Sequence, residues 1–374
     1  MKYKDVLEPL NQQTSLRDKL VHCHKVVQQQ LPFVARIAVT IYDPATTVLK
    51  TYIHSSGNDD PLSHYQASLD DAPSLKSILD NGKPRVINNL LTFEDTRQEH
   101  TQRIGRQGYA ASYTLPMFYN GGFFGFIFFN SYQTDVFTER ALNELDVFAH
   151  LISLMVIDEL SALRALTAAL STATHITHQR DPETGSHLDR MSRFSQLIAR
   201  KLAGKHGLTD EFVEHVFMFA PLHDIGKVAI PDRVLLKNGP LDETEREVMN
   251  THSCKGLEII DHMIANFNLS SIQHLDILRN IVRYHHESVG GEGYPERLKG
   301  DEIPLEARIV ATADVFDALT SKRPYKEAWS IDAAFAELQA LAGKKLDAEC
   351  VQVLLDHREE VESIVEQFAE NRMG

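Results

Sequence analysis

Pro221-Leu-His-Asp-Ile-Gly-Lys-Val-Ala-Ile-Pro231 sets an imidazole, a carboxylate and an ammonium group close together, at His223, Asp224 and Lys227. On one helix, adjacent residues project about 100° apart, so His223 and Asp224 meet only around a ligand at their shared edge. A divalent metal ion is such a ligand. Imidazole plus carboxylate suits borderline divalent ions, and the carboxylate keeps a second oxygen with which to bridge to a neighbouring metal. Gly226 lets a backbone or a ligand come close. Lys227, three residues after Asp224, falls on roughly the same helical face and puts a cation beside it. A His-Asp pair alone is equally compatible with a satisfied structural histidine, so the assignment turns on partners elsewhere in the chain.

Matching donors recur outward from this stretch. Glu183 and His187 stand four apart, the spacing that brings paired ligands together across a helical turn, although Gly185 weakens a helix there. His252 follows Glu245-Arg-Glu-Val-Met-Asn-Thr251, and His285-His286 follows the apolar stripe Ile277, Ile281, Val282. Asp314 sits within the largely apolar segment from Ala307 to Leu319. A carboxylate buried there alone is costly, so it is read as a ligand, with an ion-pair partner as the alternative. The set holds five imidazoles and three carboxylates. That is too many for one ion; two ions of about six coordinates each would use most of it, and a third fits if Glu183 joins. Such oxygen-rich mixed sites suit iron or manganese better than structural zinc, which favours closed four-coordinate sites with thiolates. Ligand type does not separate iron from manganese.

The composition sets the frame. The chain has 374 residues, 43% of them hydrophobic, which predicts two globular domains. Three scattered cysteines offer neither a disulfide framework nor a thiolate cluster. A formal charge of -14 excludes an extended nucleic-acid surface, so an anionic substrate needs local cations. No run reaches the length of a membrane span, and Met1-Lys-Tyr-Lys-Asp-Val lacks the apolar core of a signal peptide, which predicts a cytoplasmic protein.

Before the histidine-rich region, Leu16, Leu20, Val21, Val27 and Leu31 trace an amphipathic helix from about Ser15 to Gln30, with Thr14 or Ser15 able to cap it. His22-Cys23-His24 within it tempts a metal assignment, but helical neighbours at i and i+2 diverge, so it is read as structural. Strands are predicted over 33–42, 47–54, 84–88, 110–118 and 122–130, with Asn120-Gly121 as a hairpin signal between the last two. A helix over 74–81, closed by Gly82, completes an α+β domain with a mostly antiparallel sheet. This order of elements resembles a GAF domain over residues 12–157. Its ligand is open, and a structural or dimerising role is the alternative. From Thr138 a helix of some thirty residues is predicted, with Leu145, Ala149, Ile152, Val156, Leu163, Leu166, Leu170 and Ala173 near heptad spacing. Residues 158–178 are assigned to a linker or stalk that joins two protomers, against packing on the chain's own domain.

Three stretches carry a second resemblance: His223-Asp224-Ile-Gly-Lys227, then His285-His286-Glu287 with Gly291-Glu-Gly293-Tyr294-Pro295, then Asp314-Val-Phe-Asp-Ala-Leu with Arg323-Pro-Tyr-Lys326. From about Asp181 to Asp347 the chain resembles the HD-GYP family of bacterial phosphodiesterases that hydrolyse cyclic dinucleotides. The resemblance implies an all-helical domain over 179–374 with two or three iron or manganese ions held by Glu183, His187, His223, Asp224, His252, His285, His286 and Asp314. Glu183 leans the count toward three. It implies hydrolysis of cyclic di-GMP or mixed cyclic GMP-AMP to the linear dinucleotide, with further cleavage to mononucleotides left open, by a metal-bridging hydroxide. Lys227 and Asp224 then serve catalysis. Arg323, Lys326 and Lys227 contact phosphate, and Gly293, Tyr294 and Pro295 shape the substrate side, where GGDEF-type partner proteins are also expected to dock; Tyr294 as plain packing is the alternative. Two segments depart from the family pattern: Ser288-Val289-Gly290, which puts loop stiffness and base recognition in doubt, and Gly343-Lys-Lys-Leu-Asp347, where Asp347 reads as a helix cap. A non-hydrolytic cyclic-dinucleotide receptor is the competing function.

Overall fold

The computed structural model describes residues 5–56, 64–90, 107–178, 185–267, 269, 273–321 and 328–369. The chain divides into two compact units, Met1–Ala162 and Leu163–Gly374. In the first, α1 (Leu16–Gln30) starts at Ser15, whose hydroxyl accepts from the amide of Asp18. The strands are β1 (Arg36–Asp43), β2 (Val48–Ser56), β3 (Gln66–Ser68), β4 (Arg85–Ile87), β5 (Ala111–Tyr119) and β6 (Gly122–Ser131), with α2 (Pro73–Asn81) between β3 and β4. They form one sheet in the order β3-β2-β1-β6-β5-β4, every pair antiparallel. The short β3, Gln-Ala-Ser with no β-branched or aromatic residue, escaped the sequence pattern, whereas the equally short β4, Arg-Val-Ile, did not. Asn120 and Gly121 both take positive φ, 48° and 80°, the backbone of the tight hairpin turn that Asn-Gly predicts.

Alternation puts a helix on each face of this sheet. Leu75 and Ile78 of α2 pack with Ala38, Leu49, Phe126 and Phe128. On the other face α1 meets β2: the buried His24 ring bonds Ser55 Oγ at 2.8 Å and the Val34 carbonyl at 3.0 Å. Both ring nitrogens are thereby used inside the fold, and Cys23 is fully buried. The His22-Cys23-His24 cluster is structural.

Helix α3 (Glu139–His178) runs for 40 residues. The seam assigned to a second copy faces inward: Leu145, Ala149, Ile152, Val156, Leu163, Leu166 and Leu170 are each at most 3% exposed within the single chain. In the single chain that apolar stripe is covered by the chain's own residues, the alternative to a stalk between protomers. Heptad spacing marks an apolar stripe but does not say whose residues cover it.

The second unit is helical among its described residues. Helix α4 (Gly185–His206) lies at its centre, against α5 (Asp210–Phe219) and three later helices. After α5 come α6 (Asp232–Leu235), α7 (Glu243–Asn250), α8 (His252–Asn266), α9 (Leu275–Tyr284), α10 (Leu305–Thr320), α11 (Ile331–Leu341), α12 (Ala348–Asp356) and α13 (Arg358–Gln367). Phe194 of α4 and Phe316 of α10 meet edge to face at 5.0 Å and fix the crossing of the two helices that carry His187 and Asp314. Asp347 caps α12 by accepting from the amides of Glu349 and Cys350. Among the described residues no helix is long and apolar enough to cross a membrane.

Candidate metal centre

His223 and Asp224 do not lie on an α-helix, as the spacing argument assumed. They form the joint between two 3-10 turns, Ala220–Leu222 and Ile225–Ala229. Gly226 explains the geometry. A Cβ at that position would stand 1.9 Å from the carbonyl oxygen of His252 and 2.6 Å from the nitrogen of Gly256. A Cβ on Gly256 would in turn stand 2.5 Å from Val282 Cγ1. Two absent side chains thus let the turn meet α8 at backbone distance and let α8 close on the Val282 side chain of α9, which carries Asp224, His252 and His285 to one point.

The donors gather in two groups. Ligand atoms of Asp224, His252, His285 and His286 lie within 4.8 Å of one another, and so do those of His187, His223 and Asp314. Asp224 serves both. Its Oδ1 is 3.2 Å from His252 Nε2 and 3.6 Å from His285 Nε2, while its Oδ2 is 3.2 Å from His223 Nε2. His187 Nε2 and Asp314 Oδ1 stand 4.0 Å apart on the second side. One carboxylate oxygen faces each group, the disposition of a bridging ligand.

Protonation fits metal binding as well as position does. The Nδ1 atoms of His223, His252 and His285 meet the carbonyl oxygens of Ala220, Met249 and Ile281 at 2.9, 2.9 and 3.0 Å. A carbonyl only accepts, so each Nδ1 carries the proton and each Nε2 presents its lone pair. His187 achieves the same through Asp317, whose Oδ2 is 2.6 Å from its Nδ1. The Nε2 atoms of His187, His252 and His285 and Oδ1 of Asp224 are buried and make no hydrogen bond. Polar atoms are rarely left so, and here they converge as ligands do around a cation. Burial, reinforced by His285 next to it, holds His286 well below the usual imidazole range. Burial lowers His285 too. Both rings are therefore neutral, the form that binds metal. Burial pushes the Asp224 carboxyl up, but Lys227 and His223 beside it outweigh this and hold it well below the usual carboxylate range. These residues fit a divalent metal ion.

Around the centre, Lys227 Nζ lies 2.9 Å from Asp224 Oδ2. Tyr294 stacks obliquely on His286, with ring centres 4.8 Å apart, and its phenol is raised by burial and by Asp224. Gly293 has no room for a side chain, since a Cβ would stand 2.3 Å from the Ser288 nitrogen. Glu287 pins this loop by accepting from the amides of Glu296 at 2.6 Å and Leu298 at 3.0 Å. Glu183, Arg323 and Lys326 lie outside the described residues.

Sequence reasoning missed three features. It weighed Asp314 as the buried carboxylate of its segment, yet Asp314 is partly exposed and Asp317, three residues on, is fully buried. It passed over Arg190, 5% exposed, whose guanidinium meets Asp317 at 2.6 and 3.1 Å. It also treated the two departures from the family pattern separately, whereas they pair: Val289 and Gly290 donate to the carbonyls of Lys345 and Lys344 at 3.2 and 2.9 Å. A second aspartate in an apolar run was the available signal for the first; no local pattern announces the last.

A model of the HD domain matches residues 179–350. The cyclic di-GMP phosphodiesterase response regulator RpfG of Xanthomonas campestris pv. campestris is 46% identical over 200 residues, which is 54% of this chain and 50% of that protein. The 3'3'-cGAMP-specific phosphodiesterase 2 of Vibrio cholerae serotype O1 is 40% identical over 181 residues, 48% of this chain and 33% of that one. The chain thus spans half the length or less of these two relatives. Among solved structures, the phycocyanobilin-bound GAF domain from a cyanobacterial phytochrome aligns with 41% of this chain and 90% of its own, at 15% identity and a TM-score of 0.34. Residues 179–350, the stretch that matches the HD domain, contain both donor groups.

Proposed function

We propose that this chain is a metal-dependent phosphodiesterase that opens a cyclic dinucleotide, cyclic di-GMP or 3',3'-cyclic GMP-AMP, to its linear form, with the N-terminal unit as regulator. One observation carries it: a buried carboxylate, Asp224, that faces a donor group with each oxygen. The relatives, which bear both substrate names, support the substrate class. Iron or manganese is the metal, held by His187, His223, Asp224, His252, His285, His286 and Asp314, with Glu183 completing a third position. Divalent ions bound there supply Lewis acidity toward phosphate oxygens and activate water. The chain's own groups do the rest. Lys227 holds positive charge at the edge of the centre, where charge develops on the phosphoryl oxygens. Tyr294 stays protonated at neutral pH, so its hydroxyl can donate to a phosphate beside His286. Arg323 and Lys326 provide the phosphate clamp that an acidic protein needs.

The test is anaerobic loading with Mn²⁺ or Fe²⁺, incubation with each dinucleotide and chromatography of the products. Linear dinucleotide is expected, and loss of turnover in His223→Ala and Asp224→Ala. A metal-loaded protein that holds either dinucleotide without cleaving it would instead be a receptor.

A further inference from the structure

Four histidines of the centre are oriented through Nδ1, and one differs from the rest. His223, His252 and His285 each bond a carbonyl three or four residues earlier in their own segment. Such bonds form with the local backbone and depend on nothing remote. His187 on α4 relies instead on Asp317 on α10. Asp317 is itself held by Arg190 Nε at 2.6 Å, Arg190 Nη2 at 3.1 Å and Ser321 Oγ at 2.7 Å. Arg190 Nη2 also donates to Ser321 Oγ at 2.6 Å, and its Nη1 reaches the carbonyl of Phe368 at 2.9 Å, just beyond α13. The guanidinium of Arg193 sits over the Phe368 ring, 4.2 Å from its centre.

We propose that Asp317 is the positioning residue of the His187–His223–Asp314 metal site, and that Arg190 ties that site to the C-terminal segment at Phe368. This inference rests on the two-group metal centre described above. A carboxylate behind an imidazole fixes the ring, fixes its tautomer and strengthens it as a ligand. Only one of the two groups depends on it. The Asp224–His252–His285–His286 group keeps its own backbone anchors whatever happens at Asp317. Loss of Asp317 therefore acts on one ion and spares the other, an outcome that general destabilisation of the domain would not produce.

The experiment is calorimetric titration of Mn²⁺ into the chelator-stripped full chain, with electron paramagnetic resonance of the loaded forms. The wild type takes up at least two ions and gives the spectrum of a coupled pair. Asp317→Asn keeps the tighter ion at unchanged affinity, binds the next about 10- to 100-fold more weakly, and shows isolated Mn²⁺ at matched loading. Ser321→Ala removes one donor to Asp317 without altering charge; it shows a smaller loss in the same ion and keeps the test alive if Asp317→Asn fails to fold. Equal weakening of both ions, or two wild-type affinities in the variants, overturns the inference and leaves the metal centre standing. A wild type that binds a single ion overturns the two-group reading, and this inference with it.

Discussion

Gly226→Ala is the sharpest perturbation of the centre, because it touches no ligand. The new Cβ would stand 1.9 Å from the His252 carbonyl oxygen, 2.8 Å from its carbon and 2.6 Å from the Gly256 nitrogen. Ordinary contact begins near 3.4 Å, so α8 or the turn must yield by roughly 1.5 Å. All three obstructing atoms are backbone, which cannot rotate aside as a side chain would. The atom pushed hardest belongs to His252, which begins α8 and stands 3.2 Å from Asp224. Overpacking of this kind costs about 1–3 kcal/mol of stability. A misplacement of about 1 Å at a reacting centre costs on the order of 10²-fold in rate. Urea unfolding of the metal-free variant measures the first effect, and turnover of the better dinucleotide substrate at saturating Mn²⁺ measures the second. Wild-type unfolding midpoint and wild-type turnover together would refute the account of Gly226 as the spacer that sets the centre.

Three further outcomes follow from the same geometry. Gly290→Ala would put a Cβ 2.6 Å from the Lys344 carbonyl oxygen, so it should part the 288–290 and 344–345 segments, loosen the Tyr294 loop and raise KM several-fold, with Mn²⁺ affinity unchanged by calorimetry. Burial holds His215 on α5 down to about 4, against 6.5 for an ordinary imidazole. The unfolded chain therefore binds the extra proton first, and stability should fall as pH drops from 6.5 toward 4, by up to roughly 3 kcal/mol, with His215→Phe flattening that slope in urea titrations. Chelator treatment of the loaded protein should lower its melting temperature, corresponding to about 2.7 kcal/mol when free metal had stood at a hundred times its Kd. Helical circular dichroism should persist, since protein groups rather than the ion orient His187, His223, His252 and His285.

What the sequence made legible, and what it hid, divides along a physical line. Period and turn chemistry report local structure, and they located α1, α2, the Asn120-Gly121 hairpin and five of the six strands to within three residues at each end, because each is decided by side chains within a few positions. Residue type and burial cost likewise brought seven of the proposed ligands into view, which the fold gathers into two groups. Orientation is different. Whether the seam of α3 faces its own chain or another is not written in its heptads, since the same stripe serves both. That His223 and Asp224 sit at a joint between 3-10 turns follows from how closely Gly226 lets α8 approach, a contact with residues twenty-six and thirty positions away. Asp317 marks the limit most clearly. From sequence it and Asp314 are the same residue in the same apolar run, and only the fold distinguishes the one that faces the metal donors from the one that is fully buried behind them, between His187 and Arg190. Ligand identity is a property of residue chemistry, but ligand placement is a property of packing; a centre whose histidines are mostly anchored to their own backbone is legible in proportion to how few of them, here His187 alone among the four, are held from elsewhere.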